Sequence, residues 1–222
     1  MGSEIEGRNI GHWWSGWSYW NFQFSQSNSY YALFLQGTCT LFENCPNCLI
    51  YFQACDDLVA AVDFEDNLLI TGFEDSNIGL WSLSDARLLG RLTGHTSGIT
   101  GIKINGILIA SSSYDGTVRL WSMEGQPLAV FDEPNHLLRC IGFSGNTVIA
   151  GDFGGHLHQW KIDVNLARQQ GMVRIKHYCH FESHKSHIVC LQVSATRVVS
   201  GSRDKTVFVQ DFWAPVASRR SI

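Results

Sequence analysis

Four stretches of the chain repeat one pattern of apolar and polar positions. Each stretch opens on small residues, passes through a short polar turn and ends on alternating apolar residues, and three of the four close on Trp. Such a period is typical of repeat proteins, in which every repeat is one supersecondary unit. Repeat arrays work mainly as binding surfaces, so the pattern favours binding over catalysis. The closing positions are 81, 121, 160 and 210, giving steps of 40, 39 and 50 residues.

The second repeat shows the strands of one unit most clearly. Apolar residues alternate with small or polar ones up to Asn105-Gly106, a dipeptide that strongly predicts a β-hairpin. Asp115-Gly116 predicts a second tight turn. Four short antiparallel strands per repeat predict a β-propeller blade, and hence an all-β fold. The predicted strands are 99–104, 107–111, 117–121 and 127–131, and the matching first turns of the first and third repeats are Asp66-Asn67 and Gly145-Asn146.

The same pattern divides the chain into segments. Residues 9–42 contain no charged residue, hold four Trp and follow neither the helical nor the strand period, so 1–56 is predicted to be irregular or to cover a blade edge. Within it, 33–36 and 49–52 could still be strands. The stretch 163–176 is longer than its counterparts and predicts a surface insertion with a helical turn at 164–170. The predicted blades are about 57–92, 93–131, 132–176 and 177–213, followed by a tail at 214–222.

The second repeat resembles the WD-repeat (WD40) family of β-propellers. The resemblance rests on Gly94-His95, on Trp121 and on Asp115 six residues before it, and it extends over about 57–213. It implies a hydrogen-bonded tetrad of His95, Ser111, Asp115 and Trp121, which would be structural rather than catalytic. Such a network satisfies every buried polar group and fixes the geometry between loop and strand.

Each of the other repeats lacks one or more of the four tetrad residues. The fourth offers His184, Ser200 and Asp204 but has Gln210 in place of Trp, and the first offers Thr71, Asp75 and Trp81 but has Cys55 in place of His. The third keeps Trp160 alone, because Ala150 and Gly154 stand at the Ser and Asp positions. We therefore expect the third blade to lack the network and to be the loosest, and Asp152→Ala to be nearly neutral.

Four blades are fewer than the seven that WD-repeat rings usually have, at about 40 residues each. We therefore expect a partial propeller whose ring is incomplete. An open array leaves strand edges exposed, which predicts self-association through the open blade edges.

The resemblance also implies a partner-binding face. In WD-repeat proteins the residue before each turn Asp points to the rim of one face, and the residue three past the His position points there too. A face carrying Arg, His and Tyr suits protein or peptide partners, including phosphorylated ones, because Arg holds carboxylate or phosphate through two hydrogen bonds. The predicted binding residues are Arg203, Tyr114, His187, Glu74 and His136.

Two clusters could carry metal or redox chemistry instead. Cys45-Pro-Asn-Cys48, with Cys39 and Cys55 nearby, gives one C-x-x-C pair where a tetrahedral zinc site usually needs two. A group of His and Cys residues lies within 177–187, but the tetrad pattern already uses His184. We expect no cofactor, no metal and no catalytic residue, and a zinc or redox protein using Cys39–Cys55 remains an alternative.

Net charge and cysteine content bear on the kind of partner and on the cell compartment. The net charge of −4 gives no electrostatic reason to expect nucleic acid or a membrane surface. With no export signal, seven Cys residues favour free thiols and a cytoplasmic or nuclear protein. The sequence predicts a non-catalytic protein-interaction scaffold. The string Ser-Gly-Ser-Arg-Asp at 200–204 resembles F-box WD-repeat proteins, so a substrate receptor of a cullin-type ubiquitin ligase is an alternative, although no F-box motif is found in these 222 residues.

Overall fold

A computed structural model describes residues 30–35, 38–43, 49–53, 57–132, 136–163 and 173–212. Side chains are described within these ranges except at 30–53 and 175–177. Every regular element in this part of the chain is a β-strand, and the strands form five antiparallel sheets. No helix in the same ranges has the length and apolar character needed to cross a membrane.

The N-terminal part differs from the sequence-based expectation. Rather than an irregular segment, its described residues form a three-stranded antiparallel sheet in the order β1-β2-β3. Two of these strands overlap the stretches 33–36 and 49–52 that the sequence offered as strands, and the middle strand was not predicted. The strands are β1 (Tyr30–Leu35), β2 (Thr38–Glu43) and β3 (Leu49–Gln53).

Four sheets follow in chain order, and the prediction of a partial propeller with four antiparallel blades is confirmed. The first blade consists of β4 (Val59–Glu65), β5 (Leu68–Phe73), β6 (Ile78–Ser82) and β7 (Arg87–Leu92). The second consists of β8 (Ile99–Ile104), β9 (Leu108–Ser113), β10 (Thr117–Ser122) and β11 (Pro127–Asp132). The third consists of β12 (Leu138–Ser144), β13 (Thr147–Asp152), β14 (His156–Ile162) and β15 (Ile175–Glu182), and the fourth of β16 (Ile188–Val193), β17 (Arg197–Ser202) and β18 (Val207–Asp211).

The boundary between the third and fourth blades lies later than predicted. Strand β15, most of which the sequence analysis gave to the fourth blade, pairs with β14 and completes the third sheet. The fourth blade then has three strands in the described residues. The predicted helical turn at 164–170 and the tail at 214–222 lie outside the described residues.

Short turns join the first and second strands where the sequence placed them. In the first and third blades the turn has two residues, Asp66-Asn67 and Gly145-Asn146 respectively. In the second blade it has three residues, which include Asn105-Gly106. Asp66 and the two glycines adopt positive φ, of +51° to +76°. Gly tolerates this conformation without steric cost, and Asp tolerates it better than most residues do.

The hydrophobic core lies between neighbouring blades. The first strands β4, β8, β12 and β16 contact one another in sequence order. One apolar cluster joins the first blade to the second, another the second to the third, and a smaller one the third to the fourth. Trp121 is 1% exposed in the first of these, and Phe131 stacks on Trp160 in the second with ring centroids 5.4 Å apart. Inter-blade packing therefore holds the array, as in other repeat proteins.

Candidate functional site

The second blade contains the complete tetrad. Trp121 Nε1 donates to Ser111 Oγ at 3.0 Å, and His95 joins Ser111 to Asp115 through contacts of 2.8 Å from each ring nitrogen. The side chain of His95 is fully buried, and that of Asp115 is 6% exposed. Because each polar group has a partner, the network locks the loop before β8 onto β9 and β10.

The carboxylate of Asp115 remains charged in this setting. Burial disfavours the charged form, but hydrogen bonds from His95, the backbone N–H of Thr96 and both the backbone and hydroxyl of Thr117 outweigh it and lower the pKa of Asp115 below its ordinary value. The tetrad is thus held by charge-assisted hydrogen bonds.

The fourth blade has the tetrad without its Trp. His184 Nε2 lies 2.9 Å from Ser200 Oγ, and His184 Nδ1 lies 3.3 Å from Asp204 Oδ2. The ring edge of His184 meets Phe208, with centroids 6.0 Å apart, so an apolar ring packs beside the network.

The first blade keeps only half of the network. Trp81 Nε1 donates to Thr71 Oγ1 at 2.8 Å. Asp75 instead accepts hydrogen bonds from the backbone and side-chain amides of Asn77, at 2.9 and 2.8 Å, within its own turn. The carboxylate of Asp75 therefore stabilises a surface turn.

The third blade corrects the expectation that it would lack a polar network. Asp152, which is fully buried, has its Oδ2 atom 2.5 Å from His136 Nδ1, 3.1 Å from His156 Nδ1 and 3.1 Å from His158 Nε2. Its other oxygen accepts the backbone N–H of His156 at 2.8 Å. These four residues, which we call the His–Asp cluster, replace the tetrad by a different set of positions.

Strand register explains the replacement. Ala150, at the Ser position, lies opposite His158 on β14. Gly154, at the Asp position, has no side chain, and a Cβ there would lie 2.8 Å from His156 Nδ1. The two residues that remove the ordinary tetrad therefore make room for the imidazoles of the cluster. Burial opposes the charge of Asp152, but hydrogen bonds from His158, His156 and His136 outweigh it and lower the pKa of its carboxyl.

One predicted rim position is wrong by one residue. In each blade, the residue after the second strand donates its backbone N–H to a carbonyl that precedes the first strand. In the third blade that carbonyl belongs to Leu137, so Leu137, 52% exposed, stands at the position predicted for His136. The pairs are Glu74 to Leu58, Tyr114 to Gly98, Phe153 to Leu137 and Arg203 to His187, at 3.0–3.1 Å.

The residues after the four second strands, Glu74, Tyr114, Phe153 and Arg203, form what we call the rim row. Aromatic contacts join this row from the second blade to the fourth, where His187 takes part. The rings of Tyr114 and Phe153 lie 5.9 Å apart, and those of Phe153 and His187 lie 4.7 Å apart. Glu74 and Arg203 are exposed at the first and fourth blades.

Arg139, which the sequence analysis missed, joins this surface. Its Nη1 donates to Tyr114 Oη at 3.2 Å, and its guanidinium lies over Phe153, 6.0 Å from the ring centroid. Arg139 is the second residue of β12, and neither the turn positions nor the His position of the repeat marks it.

The other candidate metal ligands do not come together in the described residues. His184 belongs to its tetrad, His187 packs on Phe153, and Cys179 Sγ lies 3.7 Å from Gln159 Oε1. Cys45, Cys48 and Cys55 lie outside the described residues, as do the side chains of Cys39 and His177.

Comparison with known proteins supports the repeat assignment. The family model described as WD domain, G-beta repeat, matches residues 86–122 and 175–211. Each matched segment begins at, or one residue before, the start of the fourth strand of one blade, β7 or β15, and ends with the third strand of the next blade, β10 or β18. Two segments of the chain thus match the WD40 repeat, and the predicted resemblance to the WD-repeat family is confirmed.

Curated relatives and a solved structure are similar to parts of the chain. Autophagy-related protein 16 of Arabidopsis thaliana is 25% identical over 158 residues, covering 68% of this chain and 29% of that protein. An F-box/WD-40 repeat-containing protein of the same plant is 29% identical over 126 residues, covering 54% of this chain and 23% of that protein. The chain therefore spans less than a third of either relative. The crystal structure of the computationally designed Ika4 protein superposes with a TM-score of 0.60 at 26% identity, covering 71% of this chain and 92% of that one.

Proposed function

We propose that this chain is a non-catalytic protein-interaction scaffold that captures a peptide segment of its partner on the rim row. The observation that carries the proposal is the run of contacts from Tyr114 through Phe153 to His187, which joins the ends of three consecutive blades. Backbone hydrogen bonds hold each of these residues at the end of a rigid strand. Aromatic and Arg side chains on rigid elements are the groups that dominate protein interfaces.

The chemistry of the surface suggests the partner. Arg139 and Arg203 lie toward the third and fourth blades, where a guanidinium can hold a carboxylate or phosphate. Glu74 lies toward the first blade and would repel such a group. We therefore propose an extended peptide whose acidic or phosphorylated residue faces Arg139 and Arg203, while its apolar side chains cover the rings of Tyr114 and Phe153.

A non-catalytic role agrees with how the polar residues are used. Each His, Asp and hydroxyl of the second-blade tetrad is committed to another member of the tetrad, and His95 is fully buried. Groups that satisfy one another inside a blade have no free donor or acceptor for a substrate. We propose a cytoplasmic or nuclear site of action, in keeping with free thiols.

A second candidate is a substrate receptor of a cullin-type ubiquitin ligase. The printed name of one relative joins an F-box to WD-40 repeats, although this chain spans only 23% of it. In that case the rim row would hold the substrate, and the contact with the ligase would lie elsewhere. Co-purification of a cullin-complex adaptor with the tagged chain supports this candidate, and its absence from a complex that retains the peptide partner removes it.

The binding proposal is tested with a peptide array that presents neutral, acidic, phosphoserine and phosphothreonine peptides to the purified chain. Affinities of the strongest binders are then measured by fluorescence polarisation. We expect anionic peptides to dominate, and Arg203→Ala to weaken binding about tenfold or more, because a hydrogen bond to a charged group contributes about 1.5–3 kcal/mol. Thermal stability should hardly change, since Arg203 is exposed.

The matched control is Arg197→Ala. Arg197 is also exposed, but it is the first residue of β17, at the end of that strand away from Arg203, where its Nε lies 2.6 Å from Asp211 Oδ1. A second control deletes 164–172, within the predicted insertion at 163–176. Loss of binding on this deletion, together with normal binding by Arg203→Ala, would show that the insertion is the site and that the rim row is not.

A further inference from the structure

In the His–Asp cluster of the third blade, three imidazole nitrogens crowd a single carboxylate oxygen. Three imidazole nitrogens, from His136, His156 and His158, lie 2.5–3.1 Å from the single Oδ2 atom of Asp152. One carboxylate oxygen offers about two lone-pair sites, and the other oxygen already accepts a backbone N–H. Three ring nitrogens therefore share about two lone-pair sites on one oxygen. A cation placed among the four atoms would use all of them.

The spacing of the ligand atoms suits a small metal ion. The ligating atoms of His136, Asp152 and His158 all lie within 4.8 Å of one another. Ligands about 2.0–2.1 Å from a tetrahedral zinc ion are about 3.4 Å apart. The two imidazole nitrogens of this group lie 2.5 and 3.1 Å from Asp152 Oδ2, and the three atoms lie at most 4.8 Å apart, so their separations bracket that value. His156 Nδ1 lies outside this group, but it is 3.1 Å from Asp152 Oδ2 and is the candidate for the fourth ligand.

Rigid elements hold the ligands. Asp152 is the last residue of β13 and His158 lies inside β14, and their side chains are 0% and 1% exposed. His156 and His158 are two residues apart on β14, so both imidazoles project from one face of the strand. The His136 and His156 side chains are 34% and 30% exposed, which leaves a path from solvent to the cluster.

The surroundings of His158 match those of metal-bound imidazoles. Its Nδ1 lies 3.2 Å from Tyr178 Oη on β15, and its ring is nearly parallel to those of Trp160 and His180, with centroids 6.1 Å away in both cases. A metal-ligating His usually has its second nitrogen hydrogen-bonded in this way, which fixes the ring and its tautomer. Tyr178 would play that part here.

We propose that His136, Asp152 and His158, with His156 as a fourth ligand, bind a Zn²⁺ ion that ties the loop before β12 to β13 and β14. A set of imidazoles and one carboxylate is a donor set that zinc accepts, whereas Mg²⁺ and Ca²⁺ prefer oxygen ligands. The ion has a structural role and occupies the place that the tetrad holds in the second blade. This site is independent of the proposed peptide-binding surface.

The test is a titration of the full chain, stripped of metal by a chelator, with ZnCl₂ in a calorimeter. Matched titrations use NiCl₂, CuCl₂ and MgCl₂. We expect one Zn²⁺ per chain, no binding of Mg²⁺, and a higher melting temperature with Zn²⁺. Cu²⁺ is expected to bind more tightly than Zn²⁺, as it does at most nitrogen and oxygen sites, so its affinity is not used to assign the metal. Binding of Mg²⁺ as tight as that of Zn²⁺ would overturn the assignment to zinc.

Variants identify the ligands. His136→Gln is expected to fold, because His136 is part-exposed, and should lose zinc binding by more than tenfold together with the rise in melting temperature. Tyr178→Phe keeps all ligands and should weaken zinc about tenfold, as the loss of an outer-shell partner does. His187→Gln, a part-exposed His outside the cluster, is the control and should bind zinc normally.

The cysteines of the N-terminal segment are a competing site, and the Cys45→Ser/Cys48→Ser double variant tests them. This variant should retain one Zn²⁺, and the Co²⁺-loaded chain should show no thiolate-to-cobalt charge-transfer band. Loss of zinc in the double variant with retention in His136→Gln would overturn the proposal, and so would a wild-type chain that binds no zinc.

Discussion

Removal of the Asp115 carboxylate is the sharpest test of the tetrad. In Asp115→Ala, His95 Nδ1 loses its partner at 2.8 Å and keeps only the Thr117 hydroxyl at 3.1 Å. Because the His95 side chain is fully buried, water cannot replace the carboxylate. The backbone N–H groups of Thr96 and Thr117 lose an acceptor as well, although water can reach them more easily.

The magnitude follows from these contacts. A buried polar group left without its partner costs about 1–3 kcal/mol, and lost hydrogen bonds near the surface add a smaller amount. We expect Asp115→Ala to lower the free energy of unfolding by about 2–3 kcal/mol. For a chain of this size that corresponds to a fall in melting temperature of about 4–12 °C.

The matched control is Asp75→Ala in the first blade. Asp75 stands at the same position of its repeat but bonds only to Asn77 in an exposed turn. Its loss should cost about 0.5–1 kcal/mol. Both variants are compared by urea denaturation followed by tryptophan fluorescence and by scanning calorimetry. Equal losses in the two variants would refute the claim that the buried network, rather than the turn, is what Asp115 stabilises.

Three further predictions follow from the same contacts. Asp152→Ala should cost about 2–3 kcal/mol by calorimetry, comparable to Asp115→Ala, whereas the sequence-based expectation was almost no effect. Gly155→Ala should cost at least about 2 kcal/mol in the same assay, because Gly155 has φ of +93° and an added Cβ would strike a backbone carbonyl. Asp115, Asp152 and Asp204 have pKa values below the ordinary 3.8, so their stabilisation is complete above that pH and is lost as the pH falls below it. The melting temperature of the unmodified chain should therefore fall steeply in acid, and that of Asp115→Ala should fall less steeply. Parallel profiles of melting temperature against pH for these two proteins would contradict this.

The regular features of the fold were predictable from local sequence. The turns Asn105-Gly106 and Gly145-Asn146 carry their own conformational preference, and alternating apolar residues beside them assign the strands. The second-blade tetrad was predictable because His95 and Trp121 stand at the spacing of the family pattern.

The third-blade cluster could not be found by the same route. Its members come from three separate segments, and strand pairing alone brings His158 on β14 beside Asp152 on β13. The available clue was the His156-Leu-His158 sequence, in which two imidazoles two residues apart face one side of a strand. Ala150 and Gly154 remove the expected tetrad, and the family pattern marks no positions that would replace it.

The number of strands in the third sheet also could not be predicted from local sequence. Strand β15 could complete either of two neighbouring sheets, and its pairing with β14 is a long-range choice. The displacement of His136 from the predicted rim position has a similar origin, because one residue of register decides whether a side chain faces the rim or the interior of the blade.

The central claim, that the rim row is where this protein meets its partner, is tested most directly by site-specific photocrosslinking. The photoreactive residue p-benzoylphenylalanine is placed at Phe153 in the rim row or, as a control, at Val130, which is 50% exposed on the outer strand β11. The chain is expressed in cells and irradiated, and the crosslinked products are separated by mass. The account predicts a discrete crosslinked partner at position 153 and none at position 130. A partner that crosslinks at position 130 and not at position 153 would contradict it.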